Sequence, residues 1–162
     1  MTGARIGTGF DAHRLVDGRP LMLGGVRIEH ARGLEGHSDG DCLLHAICDA
    51  ILGALGAGDL GRHFPSTDAR WKGAASLRFL EDVARLLGER GYALGNLDAT
   101  VIAQTPALAP HLDAMRAQIA QALGAPVEAI SVKAKSTDGL GAIGRGDGIA
   151  AQAVVVLQRR ER

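Results

Sequence analysis

Aromatic side chains are scarce: Phe10, Phe64, Phe79, Trp71 and Tyr92 are the whole supply in 162 residues. That argues against a platform that stacks successive bases, and it leaves Ala, Leu, Ile and Val to fill the core. Net charge is lacking as well, with 18 Lys and Arg against 18 Asp and Glu. A balanced chain has no general pull toward nucleic acid or anionic lipid, so any bound anion must be held by local groups. No uninterrupted apolar run is long enough for a membrane span, although 46% hydrophobic residues suffice for the core of one domain. Cysteine is limited to Cys42 and Cys48, which lie six apart in a helical segment, point to different sides and cannot bridge there. A reducing compartment follows, and Met1 to Ile6 shows no leader core, so the cytoplasm is the expected location.

Periodicity then organises the chain. Arg5 to His13 and Pro20 to Ile28 read as strands around a Val16 to Arg19 turn, and His30 to Asp41 reads as a polar loop. A helix is predicted over Asp39 to Leu55, capped by Ser38 or Asp39, followed by a Gly- and Pro-rich segment from Gly56 to Asp68. A second helix, Ala74 to Arg90, carries the stripe Leu77, Leu80, Ala84, Leu87 and stops at Gly91. Asn96 to Gln104 is a strand closed by Thr105-Pro106, and Leu108 to Leu123 is a third helix. Ile130 to Ala134 and Ile149 to Leu157 are the last strands. The pattern lacks a dinucleotide fingerprint and has too few strands for an eightfold barrel. It predicts a compact α/β (α+β) sandwich, one domain over residues 1–158 with a mixed sheet covered by helices, and a loose tail over 159–162.

Polar residues interrupt this plan in clusters. Asp11 and His13 alternate in an extended stretch and project from one face. His45 lies opposite the Leu44, Ile47 and Ile51 stripe of its helix. Two readings stand for these residues: polar groups at a strand end, or an Asp-His-His set that leaves zinc one open position. Capping accounts for Ser38 and Asp39 in His37-Ser38-Asp39-Gly40-Asp41, but leaves His37 and Asp41 unexplained; a helix start there could instead hold phosphate. Asp49, one turn beyond His45, reads equally as its partner or as a solvated residue. Lys133 to Gly141 gathers cations, hydroxyls and Asp138 after a strand, where an anion and its metal could sit. Gly144 to Gly148 holds Arg145 and Asp147 between glycines, as a flexible loop with a surface ion pair would.

In order along the chain stand Gly9-Phe10-Asp11-Ala12-His13, Leu23-Gly24-Gly25-Val26, His37-Ser38-Asp39-Gly40-Asp41, Gly58-Asp59-Leu60-Gly61, Phe64-Pro65, Gly95-Asn96-Leu97-Asp98, Ala103-Gln104-Thr105-Pro106 and Gly144-Arg145-Gly146-Asp147-Gly148. Through these motifs the chain resembles the 2-C-methyl-D-erythritol 2,4-cyclodiphosphate synthase family from Arg5 to Leu157. The resemblance implies a cytoplasmic lyase of non-mevalonate isoprenoid synthesis. Its substrate would be 4-diphosphocytidyl-2-C-methyl-D-erythritol 2-phosphate, its products the 2,4-cyclodiphosphate and CMP. A zinc-dependent phosphohydrolase and a noncatalytic metal-bound ligand-binding trimer are the alternatives.

The resemblance further implies zinc on Asp11, His13 and His45, and Mg2+ or Mn2+ bridging the diphosphate and reached by Asp138, where Glu is usual. Ser136, standing for the usual Thr, would act with His37 on the transferring phosphoryl group. Asp59 and Gly61 would hold the methylerythritol hydroxyls, with Leu60, Phe64, Asp68, His37 and Ser38 alongside. Ala103, Gln104, Thr105, Pro106, Ala107, Leu108 and Ala109 would receive cytidine, and Lys135, Thr137 and Arg145 would assist at the phosphates. Ala142 stands where an aromatic residue is common, and Ser66 where Asp is frequent. The family's homotrimer, with each site between neighbouring subunits, completes the expectation; no nucleic acid or membrane partner is implied.

Overall fold

The computed structural model describes residues 3–160. Strand β1 (Arg5–Asp17) is followed by three short strands, β2 (Leu21–Leu23), β3 (Val26–Ile28) and β4 (Arg32–Leu34). Helix α1 (Cys42–Leu55), the short α2 (Leu60–His63) and α3 (Ser76–Glu89) come next, then β5 (Tyr92–Ile102). Helix α4 (Leu112–Leu123), β6 (Ile130–Lys135), the short α5 (Gly141–Gly144) and β7 (Gly148–Arg159) complete the chain. The main sheet runs β4-β1-β7-β5-β6, with β5 parallel to β6 and every other pair antiparallel. A mixed sheet was the expectation, and this is one.

Helix α1 lies on β1 closely enough to exclude a side chain between them. A Cβ on Gly7 would meet Ala50 O at 1.9 Å, and one on Gly9 would meet Ala46 O at the same distance. Glycines alternate on the strand while alanines recur every four residues on the helix, so two small surfaces fit together. Buried Leu43, Leu44, Ile47, Ile51 and Leu52 then pack into one core with Phe79, Leu80, Leu97, Val101, Met115, Ile119 and Val155. The alternation of β1 leaves Ile6, Thr8, Phe10 and Ala12 on the uncovered face, beside Gln152 and Val154 of β7. Helices therefore cover one face of this sheet.

Several boundaries differ from the sequence reading, each for a local reason. Pro20 to Ile28 is a hairpin of two strands, because Gly24 and Gly25 both take positive φ, 60° and 74°, as a tight two-residue turn requires. The expected loop from His30 to Asp41 contains β4, whose Leu34 pairs with Leu15 in a β1 that extends past His13 to Asp17. Helix α1 starts at Cys42 with Asp41 as its cap, later than Asp39. The stretch from Leu108 opens with a 3-10 turn, Ala109–His111, before α4 begins. Strand β7 runs through Arg159, and the Arg160 amide donates to Gly91 O at 2.9 Å, so sheet pairing carries past the expected tail boundary. Residues 161 and 162 lie outside the described residues.

Candidate active site

Asp11 and His13 sit in the middle of β1 on the face toward α1, and His45 reaches them from the first turn of the helix. Asp11 Oδ2 lies 2.7 Å from His13 Nε2 and 2.9 Å from His45 Nδ1, and the two imidazole nitrogens are 3.2 Å apart. Burial raises the Asp11 pKa, yet hydrogen bonds and charge from His13 and His45 outweigh it and hold the carboxyl well below its usual range. The Asp11 hydrogen bond raises the His13 pKa against the opposing effect of burial.

The triad fits a metal ion. Around a tetrahedral zinc with bonds of about 2.0 Å, ligand atoms stand about 3.3 Å apart, so the triangle would open by only tenths of an ångström. Two imidazoles and one carboxylate also match zinc's preference for nitrogen and oxygen donors. A cleft of about 200 Å³ opens on the triad, lined by His13, His37, Ser38, His45, Leu60, Phe64, Ser66, Trp71 and Phe79. Phe64 stacks on Phe79 with centroids 4.5 Å apart and meets Trp71 edge-on at 5.1 Å, so the few aromatics are concentrated in the wall of this cleft.

The neighbouring acidic residues divide by role. Asp41 is fully buried and accepts from the amides of Leu44, Gly24 and Gly25 at 3.1, 3.0 and 2.8 Å. Asp41 thus ties the helix start to the β2–β3 turn, and capping, assigned to Ser38 or Asp39 from sequence, explains Asp41 instead. Asp39 accepts from the Ser76 amide at 3.0 Å and anchors the start of α3. Asp49 partners neither His45 nor solvent alone: it accepts the Leu60 amide at 2.7 Å and fixes the entry to α2. There Asp59 caps α2 through the Arg62 amide at 2.9 Å, presenting Leu60 and Gly61. His37 Nε2 donates to Asp68 O at 3.2 Å, while the Asp68 carboxylate pairs with Arg70 at 2.6 Å.

The second group of expected residues forms its own cluster. The Ala103 amide donates to Lys135 O at 2.9 Å, and Gln104 Oε1 accepts from the Gly139 amide at 3.1 Å, joining the segment after β5 to the loop after β6. Ala103 and Leu108 direct their side chains into the core, whereas Thr105, Ala107 and Ala109 are exposed. In the loop, Ser136 Oγ donates to Asp138 Oδ1 at 3.1 Å, and Thr137 Oγ1 donates to Leu140 O at 2.7 Å. Lys135, Ser136, Asp138 and Ala142 are exposed, and Arg145 pairs with Asp147 at 3.1 Å. Among the described residues, no side-chain hydrogen bond or ion pair joins this cluster to the Asp11, His13 and His45 group.

Sequence reasoning missed Ser76. Its hydroxyl lies 2.8 Å from His45 Nε2, and it is fully buried although 31 residues away in the chain. A serine opening a helix looks like an ordinary terminus, so the only signal was its place at the start of the Leu77 to Leu87 stripe.

Fold and site together define an α+β domain with an aspartate-histidine-histidine triad that could hold a metal ion beside a cleft. The YgbB family pattern matches residues 4–158. The 2-C-methyl-D-erythritol 2,4-cyclodiphosphate synthase of Shouchella clausii is 58% identical over 157 residues, covering 97% of this chain and 99% of the relative. The solved bifunctional IspDF of Campylobacter jejuni superposes with a TM-score of 0.95 at 42% identity; the match covers 99% of this chain and 44% of that longer one. IspF of Plasmodium falciparum, solved as a CDP complex, superposes at 0.86 with 35% identity and covers 99% of both chains. The chain belongs to the YgbB family, and the relatives it matches nearly end to end are 2-C-methyl-D-erythritol 2,4-cyclodiphosphate synthases.

Proposed function

We propose that this chain converts 4-diphosphocytidyl-2-C-methyl-D-erythritol 2-phosphate to the 2,4-cyclodiphosphate and CMP, as a phosphorus-oxygen lyase of the non-mevalonate isoprenoid pathway. The observation that carries the reading is the Asp11, His13 and His45 triangle at the mouth of the cleft, in a chain whose relatives bear that synthase name. An oxygen of the 2-phosphate forms a bond to the β-phosphorus. The bond from that phosphorus to the bridging oxygen breaks, and CMP leaves with the electron pair. A phosphomonoester with a second pKa of about 6 is already largely ionised at neutral pH, so the chain need not supply a strong base. What it must overcome is the approach of one anion to another.

Zinc on Asp11, His13 and His45, with Mg2+ or Mn2+ near Asp138, would supply the positive charge that relieves this repulsion. His37 is held by its bond to Asp68 O and presents its imidazole along the cleft wall, where it can orient a phosphate. Ser136 offers a hydroxyl and Lys135 an ammonium from an exposed loop. Asp59 and Gly61 offer a carboxylate and a backbone group to the methylerythritol hydroxyls. The backbone of 103–109 reads the cytidine edge, since Ala103 and Leu108 are committed to the core. Asp138 carries a shorter acid than Glu and takes a positive φ of 51°, and it would reach its cation through water.

A homotrimer follows from the same reading. Ile6 and Phe10 are 70% and 63% exposed on the uncovered sheet face, which suits burial against further copies. Each site would then take its metal half and its cytidine half from neighbouring subunits, in the cytoplasm. The test is metal dependence: chelation abolishes CMP release and zinc restores it. Full turnover in a preparation shown to be metal-free would overturn the reading.

A further inference from the structure

We propose that Ser76 and Asp39 are positioning residues for His45, forming a hydrogen-bond chain from the start of α3 that turns the imidazole Nδ1 toward Asp11 and His13. The proposal rests on the metal reading above and extends it to two residues outside the ligand set. Ser76 donates twice to the Asp39 carboxylate, through its amide to Oδ2 at 3.0 Å and through its hydroxyl to Oδ1. A serine hydroxyl has one hydrogen, and a carboxylate only accepts. Ser76 Oγ therefore meets His45 Nε2, 2.8 Å away, with a lone pair.

Nε2 must then carry the hydrogen, and a neutral imidazole protonated at Nε2 has its free lone pair at Nδ1. Nδ1 is the atom that faces Asp11 and His13. Ser38 Oγ also approaches Nε2, at 3.2 Å, but the Ser76 contact is shorter. Ser38 instead accepts the Gly40 amide at 3.3 Å, and its own hydrogen can reach Ser76 Oγ at 3.3 Å. The side-chain polar groups of Asp39, Ser76, Ser38 and the His45 Nε2 all have partners in that arrangement. His45 is 7% exposed and lies against Phe79 with centroids 6.2 Å apart, so packing holds the ring in the plane the hydrogen bonds select. Outer partners of this kind fix the orientation of a ligating histidine and raise its basicity.

The experiment measures zinc affinity by competition with a chromophoric chelator and follows the histidine ring N-H groups of the zinc-loaded protein by nitrogen-15 NMR. Wild-type protein is expected to show a slowly exchanging His45 Nε2-H close to the Ser76 β protons, a result that needs no variant. Ser76→Ala keeps the backbone bond to Asp39 and is expected to bind zinc about 10- to 100-fold more weakly, with that N-H lost to exchange and the metal-free helical content unchanged. Zinc bound by the alanine variant as by wild type, with the Nε2-H retained, would overturn the proposal alone. A zinc-loaded wild type whose Nε2-H exchanges freely and shows no proximity to Ser76 would do the same. Wild-type protein that takes up no zinc would overturn the metal reading and this proposal together.

Discussion

His13 and Asp11 make opposite demands on pH. In the metal-free protein the Asp11 hydrogen bond raises the His13 pKa, so its stabilisation is complete below the unfolded value of 6.5 and is lost as pH rises through the folded value. Asp11 is depressed, so its contribution is present above the unfolded value of 3.8 and is lost only as acid carries pH down through the folded one. Metal requires His13 neutral. Zinc affinity should therefore climb with pH through the raised His13 pKa, and an affinity that stays flat between about pH 6 and 8 would contradict this coupling. His45→Ala removes one ligand while leaving the apolar packing of α1 in place, and kcat should fall by at least about a hundredfold with zinc content falling in parallel. Ser136→Ala should lower kcat more than it raises KM, by roughly 2 to 4 kcal/mol in transition-state stabilisation, because the hydrogen bond tightens as charge develops. Unchanged steady-state kinetics would remove Ser136 from the reaction. The grouping of Asp11, His13 and His45 was legible because alternation in a strand and position on a helix are local properties. Ser76 was not, because its contact to His45 exists only once α3 has docked.

Helix α1 and strand β1 hold the triad through a contact without side chains, and two glycines test it in opposite directions. Gly9→Ala would drive a Cβ to 1.9 Å from Ala46 O, a rigid backbone atom, so the strand and helix must separate. The expected destabilisation is about 3 kcal/mol or more, with loss of metal affinity as Asp11 moves away from His45. Gly53→Ala meets only Thr8 O at 3.8 Å and lies exposed on the helix, so the added helix propensity should stabilise the protein by about 0.5 to 1 kcal/mol. Thermal melts of the two variants moving the same way would contradict this packing account. The main strands and helices could be read from periodicity, since α3 carries its stripe plainly. What covers the polar side of Asp41, His45 and Asp49 could not, since the β2–β3 turn, β1 and α2 reach these residues through hydrogen bonds that form only in the folded chain. The three-residue β4 was hidden for another reason: Gly33, packed against the Pro20 carbonyl, reads as loop.

For the whole molecule, the absence among the described residues of any side-chain bond between the Asp11, His13 and His45 group and the 103–109 segment becomes a prediction about assembly. His45→Ala lacks a metal ligand, and Ala107→Trp places an indole on the exposed side of the cytidine segment without entering the core. Ala103, packed in the core, would not serve, since a large side chain there would disturb folding. Each variant alone should be inactive, and co-assembled chains should regain partial activity where an intact metal half meets an intact cytidine half. Mixed trimers, verified by mass, with no activity above either parent would contradict a shared site. The expectation of a trimer came from resemblance, because an alternating strand with one apolar exposed face has the same local pattern whatever covers that face. The activity is most directly tested by phosphorus-31 NMR of the reaction with 4-diphosphocytidyl-2-C-methyl-D-erythritol 2-phosphate. The account predicts the paired resonances of a cyclic diphosphate growing in step with CMP and no inorganic phosphate; an open-chain product with phosphate released, or CMP absent from a zinc-loaded reaction, would contradict it.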